Sequence, residues 1–173
     1  METGGPFCRC SVLSRVTHPG CGGTIAHPAD DHQKRGERGS KFMLGAQIGE
    51  SKGKRIVRRV LSTDPTTVEV SFEDSGHLFG VPTTGIGTYT SVIRPDGSIY
   101  GEGEGINMTE DGEGISWTGT GVGKFGPGGA VSYRGMLFFQ TNSQKISLGS
   151  GCGAFEYEVD AAGATTSKVW EWK

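Results

Sequence analysis

Glycine at every second position is the feature that most restricts this chain. Gly101, Gly103 and Gly105 alternate with Glu102, Glu104 and Ile106, and Gly119, Gly121 and Gly123 alternate with Thr120, Val122 and Lys124. A period of two belongs to a β-strand, where it puts each run of glycines on one face of the sheet. Such glycines cost conformational entropy and supply nothing to pack, so the sheet must use the bare face. Two uses are open. Glycines let strands coil tightly into a barrel, or they leave space beside bulky neighbours, which near a barrel axis becomes a ligand cavity. Although 31 of the 173 residues are glycine, there is no Gly-x-y period and only 7 prolines, which excludes collagen.

Alternation broken by turn chemistry runs from Gly53 to Lys173. The expected strands are Arg55–Leu61, Thr67–Glu73, Thr84–Arg94, Ser98–Met108, Ile115–Phe125, Ala130–Thr141, Lys145–Asp160 (broken at its glycines) and Ala164–Trp172. Pro95-Asp96-Gly97, Glu110-Asp111-Gly112, Gly126-Pro127-Gly128-Gly129 and the weaker Ala161-Ala162-Gly163 supply the turns. No segment repeats apolar residues with a helical period. Eight strands in hairpin order predict an all-β, eight-stranded antiparallel closed barrel, which also removes exposed sheet edges. The 8 Phe, 4 Tyr and 3 Trp suffice for its core. The formal net charge of −2 excludes a generally basic nucleic-acid binder, and no apolar run approaches the ~20 residues of a transmembrane helix.

The composition changes near Met43. Residues 1–42 hold three of the four cysteines (Cys8, Cys10, Cys21) and three of the four histidines, and show no period. They read as a disordered extension or as sequence upstream of a true start at Met43, with residues 43–173 as the barrel domain. They lack the apolar stretch of a signal peptide, and Glu2, Asp30, Asp31 and Glu37 do not suit a transit peptide. Cys8-x-Cys10 with His18 and Cys21 lacks the spacing of common zinc sites, so no metal is expected. Cys152 stands alone in the patterned region, which precludes a disulfide there and makes a reducing, cytoplasmic compartment the default.

Candidate site residues follow from the faces. Tyr100, Glu102 and Glu104 share a face with Ile106 and Met108. If that face is the lumen, two carboxylates in an apolar cavity repel and one pKa rises, as a general acid requires. If it meets solvent, they are solubilising charges. These three are the candidate catalytic residues. Trp117 shares a face with Gly119, Gly121 and Gly123, and Tyr133 with Gly135 and Leu137, while Arg134, Met136 and Phe138 lie opposite. Arg134 is then either a buried cation paired with a carboxylate or a surface residue beside apolar neighbours that a partner subunit covers. Trp117, Tyr133, Arg134, Met136 and Phe138 are the candidate ligand-binding residues.

Other features carry less. Glu156 and Glu158 read as solvent-facing, and Trp170 and Trp172 as core or subunit packing. Gly121-x-Gly123-x-x-Gly126 matches a dinucleotide fingerprint in form only, because Pro127-Gly128-Gly129 follows where a helix is required. Asn107-Met108-Thr109 is a glycosylation sequon without a secretion signal. His77, in an expected loop, has no nucleophile spaced to it. The basic stripe from Lys52 to Arg59 reads as a solvated face. No cofactor is expected.

Asp64-Pro65, the run Gly101–Gly112 with its Met-Thr-Glu-Asp-Gly end, Trp117–Gly121, Gly123–Pro127 and the closing Lys168-Val-Trp-Glu-Trp-Lys173 resemble a small family of uncharacterised bacterial proteins grouped with the allene oxide cyclase-like β-barrels. The resemblance spans residues 48–173 and implies an eight-stranded antiparallel barrel with an apolar interior. It implies no assigned activity. The distant plant cyclases bind an oxylipin epoxide and steer its ring closure, but none of their functional residues is carried over to this chain. The expected function is binding of an apolar or amphipathic small molecule in the lumen. The alternatives are a cofactor-free cyclase or isomerase using a lumenal carboxylate or tyrosine, and a structural, homo-oligomerising barrel. Neither a nucleic-acid partner nor membrane insertion is expected.

Overall fold

The computed structural model describes residues 44–173. The expectations for residues 1–42, including the Cys8, Cys10, His18 and Cys21 grouping, lie outside the described residues. Eight strands follow in order: β1 (Leu44–Thr63), β2 (Thr66–Leu78), β3 (Val81–Ile93), β4 (Ile99–Met108), β5 (Gly114–Phe125), β6 (Val131–Thr141), β7 (Cys152–Val159) and β8 (Ala164–Trp172). Each is antiparallel to the next, and β8 returns to β1, closing the barrel. From Gly53, partners followed through Asp74, Gly85 and Asn107 lead to Ile115. Followed the other way through Thr165, Val159 and Val131, they lead to Phe125. The ladder therefore closes with a stagger of ten residues along β5. Eight strands so staggered tilt by about 40° and enclose an interior that side chains fill or one small ligand occupies.

Gly97, Gly112 and Gly163 take positive φ (80°, 83° and 93°) at the three expected tight turns. A 3₁₀ turn at Pro127–Gly129 joins β5 to β6. No helix among the described residues is long and apolar enough to cross a membrane.

Three segments differ from the expected strands. β2 runs on to Leu78 and β3 starts at Val81, joined by a two-residue turn at Phe79 and Gly80, both at positive φ (51° and 81°). That backbone matches the twist of a hairpin. Phenylalanine is rare there, and its ring lies edge-on to Phe139 with centroids 5.0 Å apart, covering that end of the barrel. β1 begins at Leu44 rather than Arg55. Its inward positions Gly49, Ser51 and Gly53 give no apolar alternation, because β2 passes too close for larger residues: a Cβ on Gly53 would lie 2.7 Å from the Asp74 Cα. The segment expected over 145–160 is a strand only from Cys152. Before it, Gly149 and Gly151 take positive φ, and the loop carries Ile146 into a core with Leu78, Ile115, Phe139 and Val169. A second core of Ile99, Val131, Tyr133, Tyr157 and Val159 fills the opposite end. Beyond Lys54, which pairs with Ala164, β1 pairs only with β2, and that hairpin carries exposed Ile56, Val57 and Val60.

Candidate functional site

The glycine face is the lumen, and its space is largely taken by rings from adjacent strands. A Cβ on Gly105 would come within 2.6 Å of the Trp117 indole, and one on Gly87 within 2.7 Å of Phe72 and 2.8 Å of Trp117. Gly123 in the same way seats Tyr133, and Gly135 seats Phe155, each at 2.7 Å. Tight coiling and room for bulky neighbours are thus one device: bare wall on one strand accepts an aromatic ring from the next. The rings then meet near the axis. Phe72 lies 5.6 Å from Tyr157 and 6.2 Å from Trp117, and Tyr89 lies 5.9 Å from Tyr157 and 5.8 Å from Tyr133, centroid to centroid, in tilted, stacked and edge-on arrangements that suit the ring quadrupoles. A cavity of about 110 Å³ remains among them.

Polar groups enter this cavity at a few points. The Ser51 hydroxyl donates to Asp74 Oδ2 at 2.7 Å. Asp74 Oδ1 and the Tyr157 hydroxyl are buried and have no hydrogen-bond partner among the described residues. The Trp117 Nε1–H donates to Asn107 Oδ1 at 3.1 Å, and Ser91 Oγ and the Tyr133 hydroxyl share a 2.8 Å hydrogen bond. Burial raises the Asp74 carboxyl above its ordinary range, and the Ser51 hydroxyl offsets part of that rise. Burial also pushes Tyr89 up to about 12, with neighbouring Tyr133 adding and the Arg55 guanidinium opposing. Tyr157 moves further in the same direction, again chiefly through burial. The phenols therefore stay neutral, and Asp74 is the lumenal carboxyl whose pKa burial raises. Among the described residues no three His, Cys, Asp or Glu side chains are grouped to hold a metal.

Of the residues singled out from sequence, Trp117 and Tyr133 line the cavity. Tyr100, Glu102 and Glu104 are on the outer face, where the Tyr100 hydroxyl donates to Glu102 Oε2 at 3.4 Å and both carboxylates are exposed. The condition for a lumenal acid is not met there, because β4 turns its glycines inward to receive Tyr89, Trp117 and Tyr133. Arg134, Met136 and Phe138 are also on the outer face. Arg134 bridges Glu156 at 3.3 Å and Glu158 at 2.7 Å, with all three side chains about half exposed. Glu104 and Phe138 border an open outer groove of about 690 Å³ with Ile56, Ile86 and Ile106. His77 is exposed on β2 rather than in a loop, and Trp170 and Trp172 lie outside the barrel wall, opposite in parity to the buried Val169.

Asp74, Ser51, Asn107 and Tyr157 were not singled out. The signal for Asp74 was the parity of Val68, Val70 and Phe72, which continues to residue 74 once β2 is not ended at Glu73. Asn107 shares parity with Gly101, Gly103 and Gly105, and is only 8% exposed despite its place in a sequon.

No protein-family model and no curated protein sequence matches the chain. Solved structures do. A conserved protein of unknown function from Rhodopseudomonas palustris superposes with a TM-score of 0.58 at 14% identity, covering 73% of this chain and 96% of that one. A protein of unknown function from Clostridium acetobutylicum gives 0.59 at 15%, covering 74% and 98%. The chain is thus a small β-barrel protein whose fold is shared with bacterial proteins of unknown function.

Proposed function

We propose that this protein binds a compact apolar or amphipathic molecule in its lumen, apolar part among the aromatic rings and polar end against Asp74, Ser51 and Tyr157. The observation that carries this reading is the pair of buried, unpartnered polar atoms, Asp74 Oδ1 and the Tyr157 hydroxyl, beside a cavity of about 110 Å³. Buried polar groups are ordinarily satisfied, and exceptions mark catalytic or binding functions or bound solvent. A purely structural barrel would gain by filling the space with its own side chains and by replacing Asp74. At interior packing density the cavity takes about five or six non-hydrogen atoms, so the occupant is small, or is the narrow end of something larger.

The second reading keeps the cofactor-free isomerase or cyclase of the allene oxide cyclase-like group, with different residues. Asp74, held above the usual carboxylate range, replaces Tyr100, Glu102 and Glu104 as the proton-handling group, with the neutral Tyr157 hydroxyl beside it as a hydrogen-bonding partner. Native mass spectrometry of the full chain purified from its own host, beside the denatured mass, tests the binding reading. We expect an extra mass that is lost on denaturation. A bare mass, together with no chemical-shift change on adding millimolar 1-butanol, would refute it.

A further inference from the structure

The lumen has an unusual balance of charge and hydrogen-bonding capacity. Asp74 sits where its Oδ2 receives one hydrogen bond, from Ser51, and its Oδ1 receives none. No lysine, arginine or histidine among the described residues is within 4 Å of it. An isolated carboxylate in a poorly solvated space is costly unless a cation or donors reach it. The unpartnered Tyr157 hydroxyl offers a further acceptor, and Asn107 Oδ1 has already taken the Trp117 indole N–H. Around these acceptors stand Phe72, Tyr89, Trp117 and Tyr157, all lining the same cavity. Electron-rich ring faces attract a cation placed within about 6 Å of them. A carboxylate without a counter-ion, spare acceptors and an aromatic surround together call for a ligand that brings positive charge and N–H donors.

We propose that the lumen is a site for a small organic ammonium ion, its N–H groups donating to Asp74 Oδ1 and the Tyr157 hydroxyl and its alkyl part lying among Phe72, Tyr89 and Trp117. This rests on reading the lumen as a binding site, and specifies the chemical class it takes. The groups that face Asp74 leave it as the switch. Tyr157 from β7 and Tyr89 from β3 stay neutral, while β4, β5 and β8 present the uncharged Asn107, Trp117 and Ser167. Arg55 on β1 acts on the tyrosine side, against Tyr89 and Tyr133. His77, Glu50 and Glu102 also border the cavity, with all three residues exposed. Ionised Asp74 holds the ammonium and protonated Asp74 does not, so amine affinity rises with pH through the titration of Asp74.

Three probes of equal length separate the possibilities: butylamine, 1-butanol and butyrate, titrated into the ¹⁵N-labelled full chain and followed by NMR. The expected result is that butylamine binds at least tenfold more tightly than 1-butanol at pH 8, with shifts at lumenal amides, and that butyrate does not bind. Asp74→Asn should bring butylamine down to the level of 1-butanol. The wild-type pH dependence needs no variant, and keeps the test open if Asp74→Asn folds poorly. Should 1-butanol bind as well as butylamine, or amine affinity be flat between pH 4 and 8, the ammonium assignment fails while the lumenal site stands. If none of the three binds, Asp74 is satisfied by solvent alone and both readings fail.

Discussion

The glycines of β4 and β5 seat aromatic rings, so Gly105 and Trp117 are energetically coupled. A methyl group on Gly105 would lie 2.6 Å from the indole Cε2 and 2.7 Å from the Ile86 carbonyl oxygen, both inside van der Waals contact. Overpacking of this kind costs about 1–3 kcal/mol. The gain in strand entropy on replacing glycine returns about 0.4–1 kcal/mol, leaving a net loss of about 1–2 kcal/mol for Gly105→Ala. Trp117→Ala removes the ring and leaves Asn107 Oδ1 without its donor, at about 3–5 kcal/mol. In the double variant the methyl enters vacated space and only the Ile86 carbonyl still opposes it. The two losses should therefore fall short of additivity by about 1–2 kcal/mol. Guanidinium unfolding followed by far-ultraviolet circular dichroism measures all four proteins without relying on the deleted indole. Trp117→Leu replaces Trp117→Ala if the latter is too unstable. Additivity to within about 0.5 kcal/mol would refute the seating argument, and would leave coiling alone as the reason for the glycines.

Further expectations concern the core, the lumenal carboxyl and the outer face. Ile115, at 0% exposure among Leu78, Phe139 and Val169, should lose about 2–5 kcal/mol on Ile115→Ala, read from the denaturation midpoint at unchanged slope. Because burial raises the Asp74 pKa in the folded protein above its ordinary value of 3.8, the proton it holds favours the folded state. That contribution is fully present below about pH 4 and is lost as pH rises through the folded value. Asp74→Asn should flatten this part of the profile, so its melting temperature gains on wild type between acid and neutral pH; an unchanged difference across that range would contradict the burial argument. Glu102→Gln with Glu104→Gln should leave stability within about 0.5 kcal/mol and leave 1-butanol binding unaltered, since both side chains face outward; loss of binding in that double variant would place the site elsewhere. Arg134→Ala should cost no more than about 1 kcal/mol, because its two ion pairs are half exposed, and thermal unfolding at low and high salt checks this.

Much of the architecture was legible because it is written in local chemistry. Pro95-Asp96-Gly97, Glu110-Asp111-Gly112 and Ala161-Ala162-Gly163 each place glycine where positive φ is needed, and each sits at a turn. The hairpin at Phe79 and Gly80 was not legible, since its first residue is an aromatic whose backbone conformation is held by packing on Phe139. The first half of β1 was hidden for the opposite reason, its inward positions being glycine and serine under the close approach of β2. Two of the eight candidate residues face the cavity. Trp117 and Tyr133 stood on the glycine face and line the lumen, while Tyr100, Glu102, Glu104, Arg134, Met136 and Phe138 stood on the other.

Alternation by itself determined eight antiparallel strands in hairpin order and divided the residues of each into two faces, because a pleated backbone imposes a period of two whatever surrounds it. It left the sign of each face undetermined. That sign was decided by closure: joining β8 to β1 with a stagger of ten residues brings Phe72, Tyr89, Trp117, Tyr133 and Phe155 toward one axis, and only a wall of glycine admits rings of that size. The same closure gathers Ser51 from β1, Asp74 from β2, Asn107 from β4 and Tyr157 from β7 around one cavity. Their sequence separations carry no trace of that meeting, which exists only in the curvature of the sheet.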